Sequence, residues 1–409
     1  MQGTRAIVMG LGRFGGGVGV TRWLLSQGAD VIVTDLAPQA DLQDSIAQLP
    51  AIDRLHLSCG GHEEGMFQDA DLVIANPAVP RPWENPYLQA AWAGGAVVTT
   101  EIGLLVSRLD RRKVIGVSGT AGKSTTAAMI HHALLATGCA SHLGGNIGGS
   151  LLEKLKAIGD DIVVLELSSA MLWWLSVQGA MQWSPGVAVL TNVAPNHLDW
   201  HGSLEHYERC KQAIFAHQTE DDTAILDSAA SAIDLLVPGD HNRRNAGQAV
   251  AAVVAMGGDR DGAIEALQSW SGLPHRLELV CERDGLKFYN DSKSTTPEAT
   301  AVAVRSFPDA SKLHIIVGGY DKHIDLSLMA EVTKSVSAVY AIGETGQSMA
   351  GAQQCGELET AVQEAMRRMV DGDILLLSPG CASWDQFANF EERGDAFRSL
   401  VSEVHPPVR

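Results

Sequence analysis

The stretch Gly116-Val117-Ser118-Gly119-Thr120-Ala121-Gly122-Lys123-Ser124-Thr125-Thr126 concentrates groups able to handle phosphate. Gly119 and Gly122 leave the backbone unencumbered, so its N–H groups can converge on anionic oxygens. Lys123 adds a mobile cation, and Ser124 or Thr125 a hydroxyl for Mg²⁺. A helix opening at this point contributes a further favourable anion term of about 0.3–1 kcal/mol. The full pattern G-x-x-x-x-G-K-[ST] wants a glycine where Val117 stands. The expectation is a shortened, ATPase-type phosphate loop. By itself it does not say what receives the phosphate.

A second glycine loop, Gly10-Leu11-Gly12-Arg13-Phe14-Gly15, matches G-x-G-x-x-G, and Asp35 lies 20 residues beyond Gly15. Such a turn brings backbone N–H groups up to a pyrophosphate at a helix N-terminus. NAD is the first reading, but any diphosphate nucleotide or nucleotide sugar can use this geometry.

These loops need strands before them and helices behind them. Ala6–Met9 and Val31–Asp35 read as strands flanking the helical stretch VTRWLLSQG, a βαβ unit, with a third strand in DADLVIANPAV. Lys113–Val117 leads as a strand into the phosphate loop, and TTAAMIHHALLATG follows as a helix with a glycine stop. DIVVLELSS and GVAVLTNV are β-branched runs typical of buried parallel strands, and HNRRNAGQAVAAVVAMG is a helix. Beyond SGLPHR, the segments LKFYND, KLHIIVGG, AVYAIG and DILLLSPG alternate with helices such as ETAVQEAMRRM. This alternation predicts an α/β architecture with largely parallel sheets in three domains, at residues 1–99, 100–272 and 273–409.

Bulk properties agree. The 409 residues are too many for one ordinary core, and 45% hydrophobic with 19% charged is a globular balance. The net charge of −18 and the lack of a Lys/Arg-dense run argue against a nucleic-acid binder. No apolar run approaches the roughly 20 residues of a membrane helix. The chain start runs into a strand and not into a signal segment. Cys59, Cys139, Cys210, Cys281, Cys355 and Cys381 are scattered with no C-x-x-C, so spacing suggests neither a zinc site nor a disulfide framework, which fits a reducing cytoplasm.

The variant G-T-x-G-K-[ST] resembles the phosphate loop of the Mur ligase family, and further blocks resemble that family in the right order along essentially the whole chain. They are Glu166 in LELSS; NVAPNHLDWHGS followed by Tyr207 and Lys211; Asn242 and Asn245 in HNRRNA; and His275 and Arg276 in LPHR. Then come Asp291, Lys293 and Thr295 in NDSKST, Lys322 in GGYDKHID, and Ser383 and Phe390 in LLLSPGCASWDQFANFEERG. The last block resembles the glutamate-adding members.

The resemblance implies an ATP-dependent amide-forming ligase. ATP phosphorylates the carboxylate of UDP-N-acetylmuramoyl-L-alanine, and the amine of D-glutamate attacks the acyl phosphate. It implies Lys123 on the β/γ-phosphates, with Gly119, Thr120 and Gly122 around them. It implies two Mg²⁺ sites drawing on Ser124, Thr125, Glu166, His197 and a carbamylated Lys211. Asn242, Asn245, Arg276, Asp291 and Lys293 match ATP-binding positions, with Asn245 near adenine and Asp291 near ribose; His275 matches a seam position. Thr295, Lys322, Ser383 and the Phe390 backbone match the glutamate acceptor. The N-terminal loop is reassigned from NAD to the UDP end, through Gly12, Arg13, Phe14, Asp35, Leu36, Pro77, Ala78 and Asn146, with His197 also facing the substrate. A cytoplasmic monomer is expected. An NAD-dependent dehydrogenase leaves the phosphate loop, Lys211 and the C-terminal block unexplained, and L-glutamate in place of D-glutamate is the nearer alternative.

Three departures stand out. Ala170 and Met171 replace the family's Phe-Gln after LELSS, near the sugar–alanine end. The segment between Lys211 and Asn242 is short, as if a central hairpin were missing. Ala121 replaces the usual Asn or Asp of the loop, with little effect expected where backbone donors dominate.

Overall fold

The computed structural model describes residues 1–12, 15–177, 181–226 and 231–403. Arg13 and Phe14, assigned above to the UDP end, lie outside the described residues. The chain forms two compact units, one of residues 1–231 and 244–266, the other of 232–243 and 267–409.

The first unit holds two five-stranded sheets. In the first sheet β1 (Arg5–Met9), β2 (Asp30–Asp35), β3 (Leu55–Cys59), β4 (Leu72–Ala75) and β5 (Val97–Thr99) are ordered 3-2-1-4-5, all parallel. In the second, β6 (Val114–Ser118), β7 (Ser141–Gly145), β8 (Ile162–Glu166), β9 (Val187–Leu190) and β10 (Thr223–Ile225) are ordered 10-9-6-8-7, again all parallel. Both glycine loops therefore leave a central strand at its C-terminal end, where a reversal of strand order opens a crevice.

The second unit carries β11 (Glu278–Arg283), β12 (Leu286–Asn290), β13 (Leu313–Gly318), β14 (Ala338–Ile342), β15 (Gln353–Gly356) and β16 (Ile374–Leu377), ordered 11-12-16-13-14-15. Only the β11–β12 pair is antiparallel. Its core packs Phe288, Ile316, Tyr340, Leu375 and Leu377 against Leu358, Val362, Met366 and Phe397 from the helices Leu358–Arg368 and Phe390–Glu403.

The two sheets of the first unit share their cores. Alternate residues of β1 face opposite sides: Ala6 and Val8 join one cluster, Ile7 and Met9 the other. The first cluster continues into Val163, Leu165 and Ile214; the second continues into Trp173, Trp174 and Trp200. Trp83, after β4, meets Trp173 at 5.3 Å and Trp200 at 5.6 Å between ring centroids, and the Trp200 indole N–H donates to Pro77 O at 3.1 Å. Aromatic pairs at such spacing contribute about 0.5–1.5 kcal/mol each beyond burial. Trp173 and Trp174 follow Ala170 and Met171 in LELSSAMLWW, so the segment that departs from the family pattern leads directly into the seam between the two sheets.

Candidate active site

β6 ends at Ser118, whose carbonyl accepts from Thr191 N at 2.9 Å, and the loop is then tied on both sides. Thr191 Oγ1 donates to Ala121 O at 2.6 Å, while Asn192 accepts Ala121 N at 3.1 Å and donates to Ala121 O at 3.0 Å. The Ala121 amide is thus taken up by Asn192, and the loop's shape is set from β9's end. Thr120 Oγ1 pairs with Tyr207 OH at 2.9 Å. Gly119 has φ 145 and Gly122 φ 82. A Cβ on Gly119 would lie 1.9 Å from Thr191 Oγ1, and one on Gly122 2.8 Å from Asn245 Oδ1. Only glycine satisfies both backbone and space, so the shortened loop turns where the sequence put the turns. The helix Lys123–Ala136 starts with no side-chain cap, leaving its first amides for an anion. Gly119→Ala should weaken ATP binding about tenfold or more while costing about 1–3 kcal/mol of stability, read by nucleotide titration and thermal melting.

Glu166 closes β8 and is buried, at 2% exposure. Asn146 donates to its Oε1 at 3.2 Å, and the Asn146 backbone N–H donates to Glu166 O at 2.9 Å. Its Oε2 is buried with no hydrogen-bond partner among the described residues. A buried carboxylate oxygen without a donor is costly, and a cation removes the cost. The residues present therefore fit Mg²⁺: a hard ion wants oxygen ligands, and Ser124 and Thr125 supply hydroxyls on the adjacent helix turn.

Lys211 lies on the helix Leu204–Gln212, whose N-cap Ser203 accepts from His206 N. It is 2% exposed and forms no ion pair among the described residues; its ammonium stands 4.8 Å over the Tyr207 ring. Burial first, then the charge of Lys123, pushes it down to about 7. His197 is exposed, held at φ 50 just before the short helix Leu198–His201.

Lys123, Asn146, His197 and Lys211 meet in one cavity of about 750 Å³, and Glu166 lies behind its lining, hydrogen-bonded to Asn146. Gly10, Gly12, Pro77 and Ala78 line it from the first sheet; Lys123, Asn146, His197 and Lys211 line it from the second, with Ser168 to Met171 between them. Ala170 and Met171, the departures from the family pattern, thus face the cavity directly. Asp35 does not line it. Its Oδ2 accepts Gly12 N at 3.1 Å and its Oδ1 accepts Ala37 N at 2.9 Å, so it braces the glycine turn. Leu36 is exposed and outside the lining as well. Asn245 packs at Gly122, in reach of the phosphate loop.

The remaining candidates belong to the second unit. Asn242 donates to Pro238 O at 2.7 Å. Asp291 is fully engaged: it accepts from Leu277 N, Ser294 Oγ and Ser378 Oγ at 3.1, 2.6 and 2.8 Å, and burial pushes it up to about 6. Arg276 and Lys322 are exposed, and Thr295 half-buried. Lys293 lies 3.7 Å over the Phe390 ring, and Lys322 lies 4.5 Å over Trp384. Ser383 is buried, with its carbonyl accepting from Gln386 N and Phe387 N. His275, at φ 63, pairs with Asn290 Nδ2 at 3.1 Å.

Sequence reasoning passed over Arg393. It is 1% exposed and donates to Ser292 Oγ, Ser292 O, Ala382 O and Cys381 O at 3.0–3.3 Å, with no carboxylate among these partners. One guanidinium thus fixes both the NDSKST turn and the chain leading into Ser383. Arg393→Met should cost about 2–4 kcal/mol, because several acceptors lose their donor together. Denaturant melting of the full chain measures it.

No described helix is long and apolar enough to cross a membrane. The sequence matches the family descriptions "Mur ligase MurD-like, N-terminal domain" over residues 4–100, "Mur ligase middle domain" over 117–234 and "Mur ligase, glutamate ligase domain" over 275–381. It is 35% identical to the UDP-N-acetylmuramoylalanine--D-glutamate ligase of Roseiflexus sp. (strain RS-1), across 98% of this chain and 99% of that protein. It is 34% identical to the protein of the same name from Anaeromyxobacter dehalogenans (strain 2CP-C), across 98% of each. The Roseiflexus alignment runs over 472 positions, more than the 409 residues here, so that relative carries segments this chain lacks. Among solved structures, UDP-N-acetylmuramate-alanine ligase MurC from Thermotoga maritima shares the fold at TM-score 0.56 and 18% identity, covering 97% of this chain and 99% of that one. With all three domain descriptions matched in order and relatives above 30% identity over nearly its full length, the chain belongs to the Mur ligase family.

Proposed function

We propose that this chain is a cytoplasmic, ATP-dependent ligase that joins D-glutamate to the alanine carboxylate of UDP-N-acetylmuramoyl-L-alanine, in peptidoglycan precursor synthesis. The observation that carries the reading is the cavity in which a diphosphate-type glycine turn faces Lys123 and Lys211, beside the unpartnered oxygen of Glu166. A carboxylate is a poor electrophile. Transfer of the ATP γ-phosphoryl group to one of its oxygens gives ADP and an acyl phosphate. The amine then attacks the acyl carbon, phosphate leaves with the C–O bond electrons, and the amine proton passes to solvent.

In this reading Gly12, Pro77, Ala78 and Asn146 hold the nucleotide-sugar end, and Arg13, Phe14 and Leu36 flank it, with Asp35 bracing the turn. Gly119, Thr120, Gly122 and Lys123 hold the ATP phosphates. Asn245 contacts the nucleotide base, helped by Asn242, Arg276, Asp291 and Lys293. The carboxylates of the amino acid call for cations and donors, supplied by Lys322, Thr295, Ser383 and the Phe390 backbone. Ser124 or Thr125, Glu166, His197 and Lys211 as its carbamate would hold Mg²⁺. When bound, the metal neutralises phosphate charge so that two anions can meet. The carbamate forms when the neutral Lys211 amine adds to CO₂ and releases a proton. Its burial and lowered pKa supply that neutral amine near pH 7.

The test combines ATP, Mg²⁺, UDP-N-acetylmuramoyl-L-alanine and either D- or L-glutamate, reading phosphate release and product mass. The expected result is ADP and a one-glutamate adduct with the D isomer. An adduct with L-glutamate alone overturns the stereochemical assignment, and no ADP with either isomer overturns the ligase.

A further inference from the structure

At the wall of the cavity, which His201 lines, lies a cluster of donors that the ligase reaction does not use. His201, His206 and Cys210 present one ligand atom each, all within 4.8 Å of one another. His201 Nδ1 faces His206 Nδ1 at 3.0 Å, and Cys210 Sγ lies 4.0 Å from His206 Nδ1 and 3.7 Å from its Nε2. Around a tetrahedral ion with bonds of roughly 2.0–2.3 Å, ligand atoms stand roughly 3.3–3.6 Å apart. The separations from His206 bracket that value and all three atoms lie within 4.8 Å of one another, so side-chain adjustments of about an ångström bring them onto one centre.

A second observation points the same way. The far nitrogen of His201, Nε2, is 2.8 Å from Ser169 Oγ. An imidazole that donates its Nε2–H there turns the Nδ1 lone pair toward His206 and Cys210. Orientation of a ligating histidine through its other nitrogen is the usual support of a metal site. Helical spacing explains the rest: His206 and Cys210 are four apart on the helix Leu204–Gln212 and share a face. Cys210 and His201 are buried, and Trp83 and Trp200 wall the site at 4.8 Å from the His206 ring and 4.4 Å from the His201 ring.

We infer that His201, His206 and Cys210 form a binding site for a borderline-soft cation of the Zn²⁺ class, distinct in chemistry from the oxygen donors around Glu166. Two nitrogens and a thiolate suit zinc and not magnesium, and three protein ligands leave a fourth position for water. Binding releases the Cys210 thiol proton to solvent. An ion here ties the helix that carries Lys211 to the turn at His201 and, through Ser169, to the LELSS segment.

The probe is Co²⁺ added to the metal-free full-length chain, followed by Zn²⁺ competition. The expected result is one equivalent bound, with a thiolate-to-cobalt charge-transfer band and tetrahedral visible bands, displaced by Zn²⁺ and not by Mg²⁺. Cys210→Ser removes the charge-transfer band, and His206→Gln weakens Zn²⁺ by about 100-fold. Ser169→Ala weakens it about 10- to 100-fold, as loss of an outer hydrogen bond does. Cys210 is tightly packed, so near-UV circular dichroism checks each variant, and half-buried His206 keeps the test alive if Cys210→Ser unfolds. Absence of a one-equivalent charge-transfer band overturns the site and leaves a hydrogen-bonded Ser169–His201–His206 relay. So does a band unchanged in Cys210→Ser, or Zn²⁺ affinity unchanged in a folded His206→Gln.

Discussion

Lys211→Ala is expected to lower ligase turnover about 10²- to 10³-fold, with formate or acetate restoring part of it, while KM for ATP changes little. The reason is the mismatch between this side chain and its surroundings. A lysine at 2% exposure with no ion pair among the described residues, already facing the cation of Lys123, is a poor place for an ammonium. As a carbamate the same side chain becomes an anion, the sign that a metal beside Glu166 and His197 requires. A small carboxylate can enter the space left by alanine and supply that anion. Normal turnover without any added acid would sink the carbamate role.

The proton linkage gives an independent check in CO₂-free buffer. The folded pKa is pushed from 10.5 to about 7, so between these values the unfolded chain binds more protons than the folded one. The stability cost of burying Lys211 is therefore complete below about pH 7 and vanishes above about 10.5. Lys211→Met should melt several degrees higher than the parent at pH 6.5, with the gap closing as pH rises, although its turnover should fall as that of Lys211→Ala does. Turnover of the parent in bicarbonate-poor buffer should fall as pH drops below about 7, where the amine is protonated and cannot take up CO₂.

What could be read from the sequence follows the physics of each element. Every strand expected from an apolar run is an interior strand: β1, β2 and β4, β6, β8 and β9, and β12, β13, β14 and β16. Such strands are covered on both faces and paired on both sides, so they read as continuous hydrophobic runs. The six that went unread, β3, β5, β7, β10, β11 and β15, are the two edges of each sheet. Their half-exposed residues, such as His56 and Ser58 or Gln353 and Gln354, carry no such signal. The phosphate loop was legible because its chemistry is local: Gly119, Gly122 and Lys123 act within five residues. The groups that shape it from afar, Thr191, Asn192 and Asn245, were not all legible, because their role depends on β9 and β6 being neighbours. Arg393 and the His201–His206–Cys210 cluster escaped for a related reason. Their meaning lies in what surrounds them, and cysteine spacing alone points away from a metal. Asp35 is legible as a partner of its glycine loop, and the fold adds what spacing alone does not show, its bond to Gly12 N outside the cavity lining.

Glu166→Gln should lower turnover about 10²- to 10³-fold and raise the Mg²⁺ concentration for half-maximal activity at least about tenfold, while apo thermal stability holds or rises. The two readouts separate a metal ligand from a structural carboxylate. Among the described residues Glu166 makes one side-chain hydrogen bond, from Asn146, and its second oxygen is buried without a partner. A carboxylate that holds no metal has both oxygens satisfied, as those of Asp291 are by Leu277, Ser294 and Ser378. Glutamine keeps the size and can keep the Asn146 contact through its carbonyl. It removes a buried charge, which is costly in the metal-free protein. A structural carboxylate replaced in this way would lose stability and leave the Mg²⁺ dependence untouched. The comparison with Asp291→Asn sharpens the contrast, since that change turns an acceptor of two hydroxyls into a donor facing them. Asp291→Asn should lose about 1–3 kcal/mol of stability with an unchanged Mg²⁺ requirement, read by melting and metal titration on the same preparations. If Glu166→Gln and Asp291→Asn behave alike, the unpartnered oxygen of Glu166 is not the place where the cation sits.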